Sequence, residues 1–119
     1  SLKLKEISYI PCEAYPAGEL KHGTISLIDD KSLVIAISTT DDLSEKIASN
    51  INEVIARGAN VISLRKNDHN GEIEVPHTTY FLQPMLDVIP LQLFAYFTAE
   101  QKGCEIDKPR NLAKSVTVE

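Results

Sequence analysis

LVIAISTTDDLSEKIASNINEVIARGANVISLR, residues 33–65, decides the fold. Its first six residues, 33–38, are an unbroken apolar and β-branched run closed by Ser38. Without hydrophobic/polar alternation, such a run predicts a strand buried on both faces, as in a parallel sheet. Asp42 with Glu45 has the spacing of a capping box, and Thr40 reads as part of the same capping chemistry. Residues 43–57 then place Leu43, Ile47, Ile51, Val54 and Ile55 on one helical face. Gly58 stands where a helix ends in the left-handed conformation. NVISLR, 60–65, is a second strand. Strand, helix and strand in this order make a β-α-β unit, whose two strands run parallel.

Working outward, residues 66–71 (KNDHNG) read as a polar turn, 72–75 as a short third strand closed by Pro76, and 77–83 as mixed. Residues 84–103 form a long helix, apolar on nearly every face, which predicts burial between layers or in an interface. Pro90 should start or kink part of it. Residues 107–119 read as an extended polar tail. Upstream, residues 2–15 read as a helix with an apolar stripe of Leu4, Ile7 and Ile10, bent or ended by Pro11. Residues 16–23 read as a loop with one turn at 19–22, and 24–28 as a short apolar segment. The class is α/β, a parallel sheet sandwiched by helices. Three strands are fewer than such sheets usually hold, and the chain opens on Ser1, without an initiator Met, inside a helical pattern. The expectation is an N-terminally truncated domain over 1–106 with a C-terminal tail over 107–119, the last piece of a longer chain.

The 119 residues are 43% hydrophobic and 24% charged, ordinary for a globular domain. A net charge of −5, with Lys3, Lys5, Lys21 and Lys31 scattered among acids, disfavours nucleic-acid and membrane-surface partners. No apolar run approaches the roughly 18 residues of a membrane span, and the first ten residues lack a signal-peptide core. Cys12 and Cys104 have neither CxxC spacing nor a clustered His, so neither a structural metal nor a disulfide is indicated. Two such thiols fit a cytoplasmic protein.

Three strings carry more than class: SLKLKEISYI (1–10), EAYPAGELKHG (13–23) and PLQLFAYFTAEQKGCEIDKPRNLAKSVTVE (90–119). Together they resemble the C-terminal end of the glucosamine-6-phosphate synthase family, the glutamine-hydrolysing glucosamine-fructose-6-phosphate aminotransferases. The likeness runs from the first residue to the last and weakens over 29–80. It implies a sugar-isomerase (SIS) fold, the second of two in an isomerase half that follows an N-terminal glutaminase domain. The implied activity converts fructose 6-phosphate and glutamine to glucosamine 6-phosphate and glutamate, on the route to UDP-N-acetylglucosamine. It implies no cofactor.

On its residues alone, Glu6 is a surface carboxylate paired with Lys3 or Lys5. The resemblance instead makes it the base that moves a proton between C1 and C2 of the open-chain sugar. Lys3, on the same helix face, is then placed in the sugar site. The resemblance gives ring opening to His22, supplied across a homodimer to the neighbouring subunit, where an imidazole suits proton transfer near neutrality. Lys114 would close over the sugar and, as a neutral amine, could form an imine; the backbone of Ala113 would line the same site. His69 and His77 receive no role. Pro11-Cys12 departs from the family's string and touches none of these residues. The family's Ser/Thr phosphate loop belongs to the first SIS fold. Thr39-Thr40 only superficially resembles it, so these 119 residues alone are expected to lack catalysis. Two rival readings are a non-catalytic phosphosugar-binding module and a dimerisation element built on the 84–103 helix.

Overall fold

β-Branched residues crowd β1 (Leu33–Ser38) and β2 (Asn60–Lys66), and the two strands pair in parallel from Leu33↔Asn60 to Ser38↔Arg65. A computed structural model describes residues 1–66 and 71–111. Within it β3 (Ile73–Val75) adds to the other side of β2, also parallel, giving the order β1-β2-β3. The helices are α1 (Leu2–Ser8), α2 (Ser44–Ile55) and α3 (Gln83–Gln101), with 3-10 turns at Ala17–His22, Thr24–Leu27 and Asp41–Leu43. The chain divides into two compact units, Tyr15–Val88 and the pair of segments Ser1–Ala14 and Ile89 onward.

In the Tyr15–Val88 unit the core is Val54 of α2, Ala59, Leu64 of β2 and Val75 of β3, with Leu64 wholly buried. β2 is central and carries the deepest burial. β1 is the outer neighbour, and its Leu33 and Ile37 remain 52% and 45% exposed. The expectation that both its faces are buried therefore fails among the described residues: Leu33 and Ile37 project from one face of β1, and that face is not fully covered by a packed layer. Gly58 takes φ +95°, and a Cβ there would stand 3.3 Å from the Asp30 backbone. That conformation lets Ala59 N–H reach back to the Val54 carbonyl and Asn60 N–H reach Ser32, so α2 ends where β2 must begin.

The expected capping box does not form. Asp41–Leu43 is a 3-10 turn, which makes Leu43 the N-cap of α2, with no side-chain capping bond. Asp42 thus lies inside the turn rather than at the cap. Before β3, Glu72 substitutes a different lock: its carboxylate accepts from both the Ser63 N–H (2.7 Å) and the Ser63 hydroxyl. Gly71 allows this approach, because a Cβ there would lie 2.9 Å from the Arg65 Cβ and 3.0 Å from the Ser63 carbonyl.

In the other unit, α1 stops at Ser8, well short of residue 15. Tyr9 turns left-handed (φ 60°, ψ 21°), and Pro11 bars the helical region to Ile10. Ala95 and Ala99 of α3 and Ser8 of α1 are buried. α3 runs through Pro90, which sits inside it and removes one backbone donor; the boundary between the units falls at Val88–Ile89. The helix is less buried than its composition predicts, with Met85, Leu93 and Phe97 all more than half exposed. Cys12 and Cys104 are free, half-buried thiols.

Two outcomes test this packing. Leu64→Ala should lower stability by about 2–5 kcal/mol in urea denaturation, because a wholly buried side chain leaves a cavity. Hydrogen bonds from Ser63 hold the Glu72 carboxyl below its ordinary 4.5, and bonds from Ser32 and the Lys31 N–H hold Asp29 below its ordinary 3.8. A carboxylate held low in the folded state adds stability above its unfolded value and loses it as pH falls through the folded value. The thermal midpoint should therefore drop as pH falls below about 4.5, and Ser63→Ala should flatten that slope.

Candidate functional site

α1 displays LKLKEIS on little more than two turns, so Lys3 and Glu6 share one face. Their side chains meet: Lys3 Nζ donates to Glu6 Oε2 at 2.7 Å. The pair is asymmetric. Lys3 is 62% exposed, whereas Glu6 keeps only 19% of its side chain in solvent. The result is a sheltered carboxylate bonded by an exposed cation, and a carboxylate can take a proton from, and return it to, a ligand held against it. Ser8 and Tyr9 frame the C-terminal end of the helix. Ser8 Oγ donates to the Leu4 carbonyl at 2.6 Å. Tyr9 Oη accepts from the Arg110 N–H at 2.9 Å.

The structure thus joins two of the five residues singled out in the sequence. His22 belongs to the Tyr15–Val88 unit. It ends the 3-10 turn Ala17–His22 and is exposed, with Nδ1 3.5 Å from Glu19 Oε2. The turn is fastened to α2 by its neighbour Lys21, whose ammonium meets Glu53 at 2.5 Å. An exposed imidazole on an anchored turn is presented outward. Ala113 and Lys114 lie outside the described residues, as does His69. His77 is exposed beyond β3.

A feature that the sequence reading did not single out sits at the carboxyl ends of the strands, where open parallel sheets place their crevices. Two cavities of about 280 and 140 Å³ share Thr39, Thr40, Tyr80 and Gln83 as walls. Beneath them runs a buried polar chain. Thr39 Oγ1 donates to Asp87 Oδ2 at 2.6 Å, and Gln83 Nε2 donates to Asp87 Oδ1 at 2.9 Å. Gln83 Oε1 accepts from the Thr78 N–H at 3.1 Å, and Gln83 Nε2 also reaches the Pro76 carbonyl at 3.2 Å. The Thr39 hydroxyl is engaged by Asp87, and neither threonine caps α2. The available signal was Asp87 itself, an acid four residues from Gln83 in an otherwise apolar helix opening. Among the described residues no group of three or more His, Cys, Asp or Glu could hold a metal ion, and no helix is long and apolar enough to cross a membrane.

Because the Lys3–Glu6 pair is solvent-facing on the lysine side, it contributes little to folding. Lys3→Ala should change stability by no more than about 0.5 kcal/mol in thermal or chemical denaturation.

A model of the SIS domain covers residues 1–99. Along its whole length the chain is 57% identical to the glutamine–fructose-6-phosphate aminotransferase [isomerizing] of Caldanaerobacter subterraneus subsp. tengcongensis and 52% identical to that of Clostridium perfringens. It covers 21% of each, so the chain spans about a fifth of the length of these curated relatives. The C-terminal domain of glucosamine-fructose-6-phosphate aminotransferase from Francisella tularensis superposes with a TM-score of 0.83 at 41% identity, over 90% of this chain and 32% of that one. Glucosamine-6-phosphate deaminase from Thermotoga maritima gives 0.80 at 29% identity, over 97% of this chain and 34% of that one. With its parallel sheet, its helices and a domain match over residues 1–99, the chain belongs to the SIS domain family.

Proposed function

We propose that the chain is the C-terminal isomerase segment of a longer, glutamine-dependent enzyme that converts fructose 6-phosphate and glutamine to glucosamine 6-phosphate and glutamate. The observation that carries this reading is the whole-chain identity with enzymes named for that reaction. The geometry of α1 supports it. In this reading residues 1–106 form part of a second SIS fold and 107–119 an active-site tail. The remainder of the parent chain supplies the phosphate-binding loop and the glutaminase that releases ammonia.

The roles follow from the chemistry of each side chain. Isomerisation moves one proton between adjacent carbons, C1 and C2, which a single carboxylate can do by taking the proton and returning it. In this reading Glu6 is that carboxylate, bonded by Lys3 at 2.7 Å. Lys3 has further N–H donors to spend on sugar oxygens. His22, exposed on its anchored turn, is suited to act outside its own subunit, opening the cyclic sugar bound by the other protomer of a homodimer. Lys114, with the Ala113 backbone beside it, closes over the carbonyl carbon. Desolvation there favours the neutral, nucleophilic amine. The substrate and product are fructose 6-phosphate and glucosamine 6-phosphate, and the compartment is the cytoplasm.

The test is Glu6→Gln in the full-length enzyme. Removing the proton carrier should lower glucosamine 6-phosphate formation by about 100-fold or more. Undiminished isomerisation would end the catalytic assignment. The 119 residues alone should form no glucosamine 6-phosphate from fructose 6-phosphate and ammonia.

A further inference from the structure

α1 has only seven residues, and its last turn carries Glu6. A helix that short does not persist by itself. The bond from Lys3 to Glu6, three positions apart, exists only while the backbone between them stays helical. Contacts from outside the helix must therefore hold that turn, and they fall on two successive residues. Ser8 is wholly buried, and its carbonyl, one of those a helix end leaves open, accepts from the Cys104 thiol at 4.0 Å. Tyr9 is gripped by Arg110 through two groups. The Arg110 backbone N–H donates to the Tyr9 hydroxyl at 2.9 Å, and the guanidinium carbon lies 4.2 Å from the centre of the Tyr9 ring. A phenol accepts at its rim while its ring face attracts a cation. The grip coincides with a backbone that a bulky residue seldom adopts: Tyr9 stands at φ 60°, ψ 21°. There its N–H donates to the Lys5 carbonyl at 3.1 Å and closes the turn in which Glu6 lies. Residues in such sparsely populated regions persist where their surroundings over-determine them, and they gather at functional sites.

We infer that Tyr9 and Arg110 are positioning residues for Glu6: their contact keeps the last turn of α1 wound and so holds the carboxylate where proton transfer needs it. The inference rests on the proton-transfer role proposed for Glu6 above. Tyr9 follows Glu6 by three residues, about 5 Å along the helix axis, so the clamp acts one turn from the carboxylate. Neither residue acts on the sugar itself. Released, the turn frays backward from Tyr9, and Glu6 leaves the face it shares with Lys3. Displacing a reacting group by about 1 Å can cost about 100-fold in rate. A turn that is still wound part of the time costs less than that.

The experiment uses the full-length enzyme and fructose 6-phosphate carrying hydrogen or deuterium at C1. Tyr9→Phe removes the acceptor and keeps the ring, and Tyr9→Leu removes both contacts. Hydrogen exchange at the amide of residue 9 should accelerate in both variants. In Tyr9→Leu, kcat should fall about tenfold. KM for fructose 6-phosphate should stay unchanged, because in the proposed function the remainder of the parent chain binds the phosphate. The C1 deuterium isotope effect on kcat should grow, because the weakened step is the proton transfer at that carbon. Tyr9→Phe should move all these readouts the same way by smaller factors, and Arg110→Lys, which keeps the N–H donor and a cation, should retain wild-type kcat. Because the two residues act as one contact, Tyr9→Leu combined with Arg110→Ala should be no slower than Tyr9→Leu alone. A fall in kcat with no growth in the isotope effect would place the loss in another step and overturn the inference. Wild-type kcat in Tyr9→Leu, or losses that multiply in the double variant, would overturn it too. Failure of the underlying reading is separate: it would show as undiminished isomerisation in Glu6→Gln, while exchange at residue 9 would still respond to Tyr9→Phe.

Discussion

The parallel ladder between β1 and β2 is the constraint on which the rest of this chain depends. Parallel neighbours cannot be joined by a tight turn, so the chain must leave the end of β1, cross the sheet and return to the start of β2. That requirement makes α2 obligatory, with Val54 as its buried contact and Gly58 as its exit. It also puts the loops after all three strands at one end of the sheet. The cavities walled by Thr39, Thr40, Tyr80 and Gln83 lie there for that reason. The Asp87 carboxylate, bonded by Thr39 and Gln83, ties the opening of α3 to the same end. A buried acid with both oxygens engaged avoids the penalty that an unpaired one would carry.

The α1 region is governed by weaker and more local forces. A helix of seven residues is too short to persist on its own. Its end is defined by the left-handed Tyr9, and the return of the chain at Cys104 and Arg110 brings contacts back to Ser8 and Tyr9. The exposed Lys3 adds little stability through Glu6, yet it holds one oxygen of the sheltered carboxylate at 2.7 Å. Stability and chemistry are thus separated: the sheet holds the fold, while a short helix and a returning segment hold the candidate catalytic group.

Much of this was legible along the chain. The bounds of β1 are those its apolar run marks, and β2 gains only Lys66. Periodicity located α2 and α3 to within a few residues. Glu6 and Lys3 were legible through spacing, as partners three residues apart, and through the family resemblance of KLKEISY. Apolar periodicity continues from residue 2 to 15 across Tyr9, but the helical backbone does not, because Tyr9 turns left-handed. The capping box at Asp42 and Glu45 fits its spacing but yields to a 3-10 turn, since local spacing does not reveal which residue adopts the cap geometry. Burial of β1 and of the 84–103 helix was overestimated because composition measures what a segment could bury, not what the described neighbours cover.

By itself the sequence determined the class and order of the elements, the parallel sense of the strands, the family and the shared helix face of Lys3 and Glu6. All of these follow from hydrophobic period, short-range spacing or an extended string of matched residues. Only the tertiary structure decided that Glu72 locks onto Ser63, that Asp87 bonds Thr39 from 48 positions away, and that Arg110 closes on Tyr9 across 101. Such contacts join single polar groups far apart in the chain. No periodicity marks them, and they exist only because the sheet and the returning chain bring those groups within hydrogen-bonding distance.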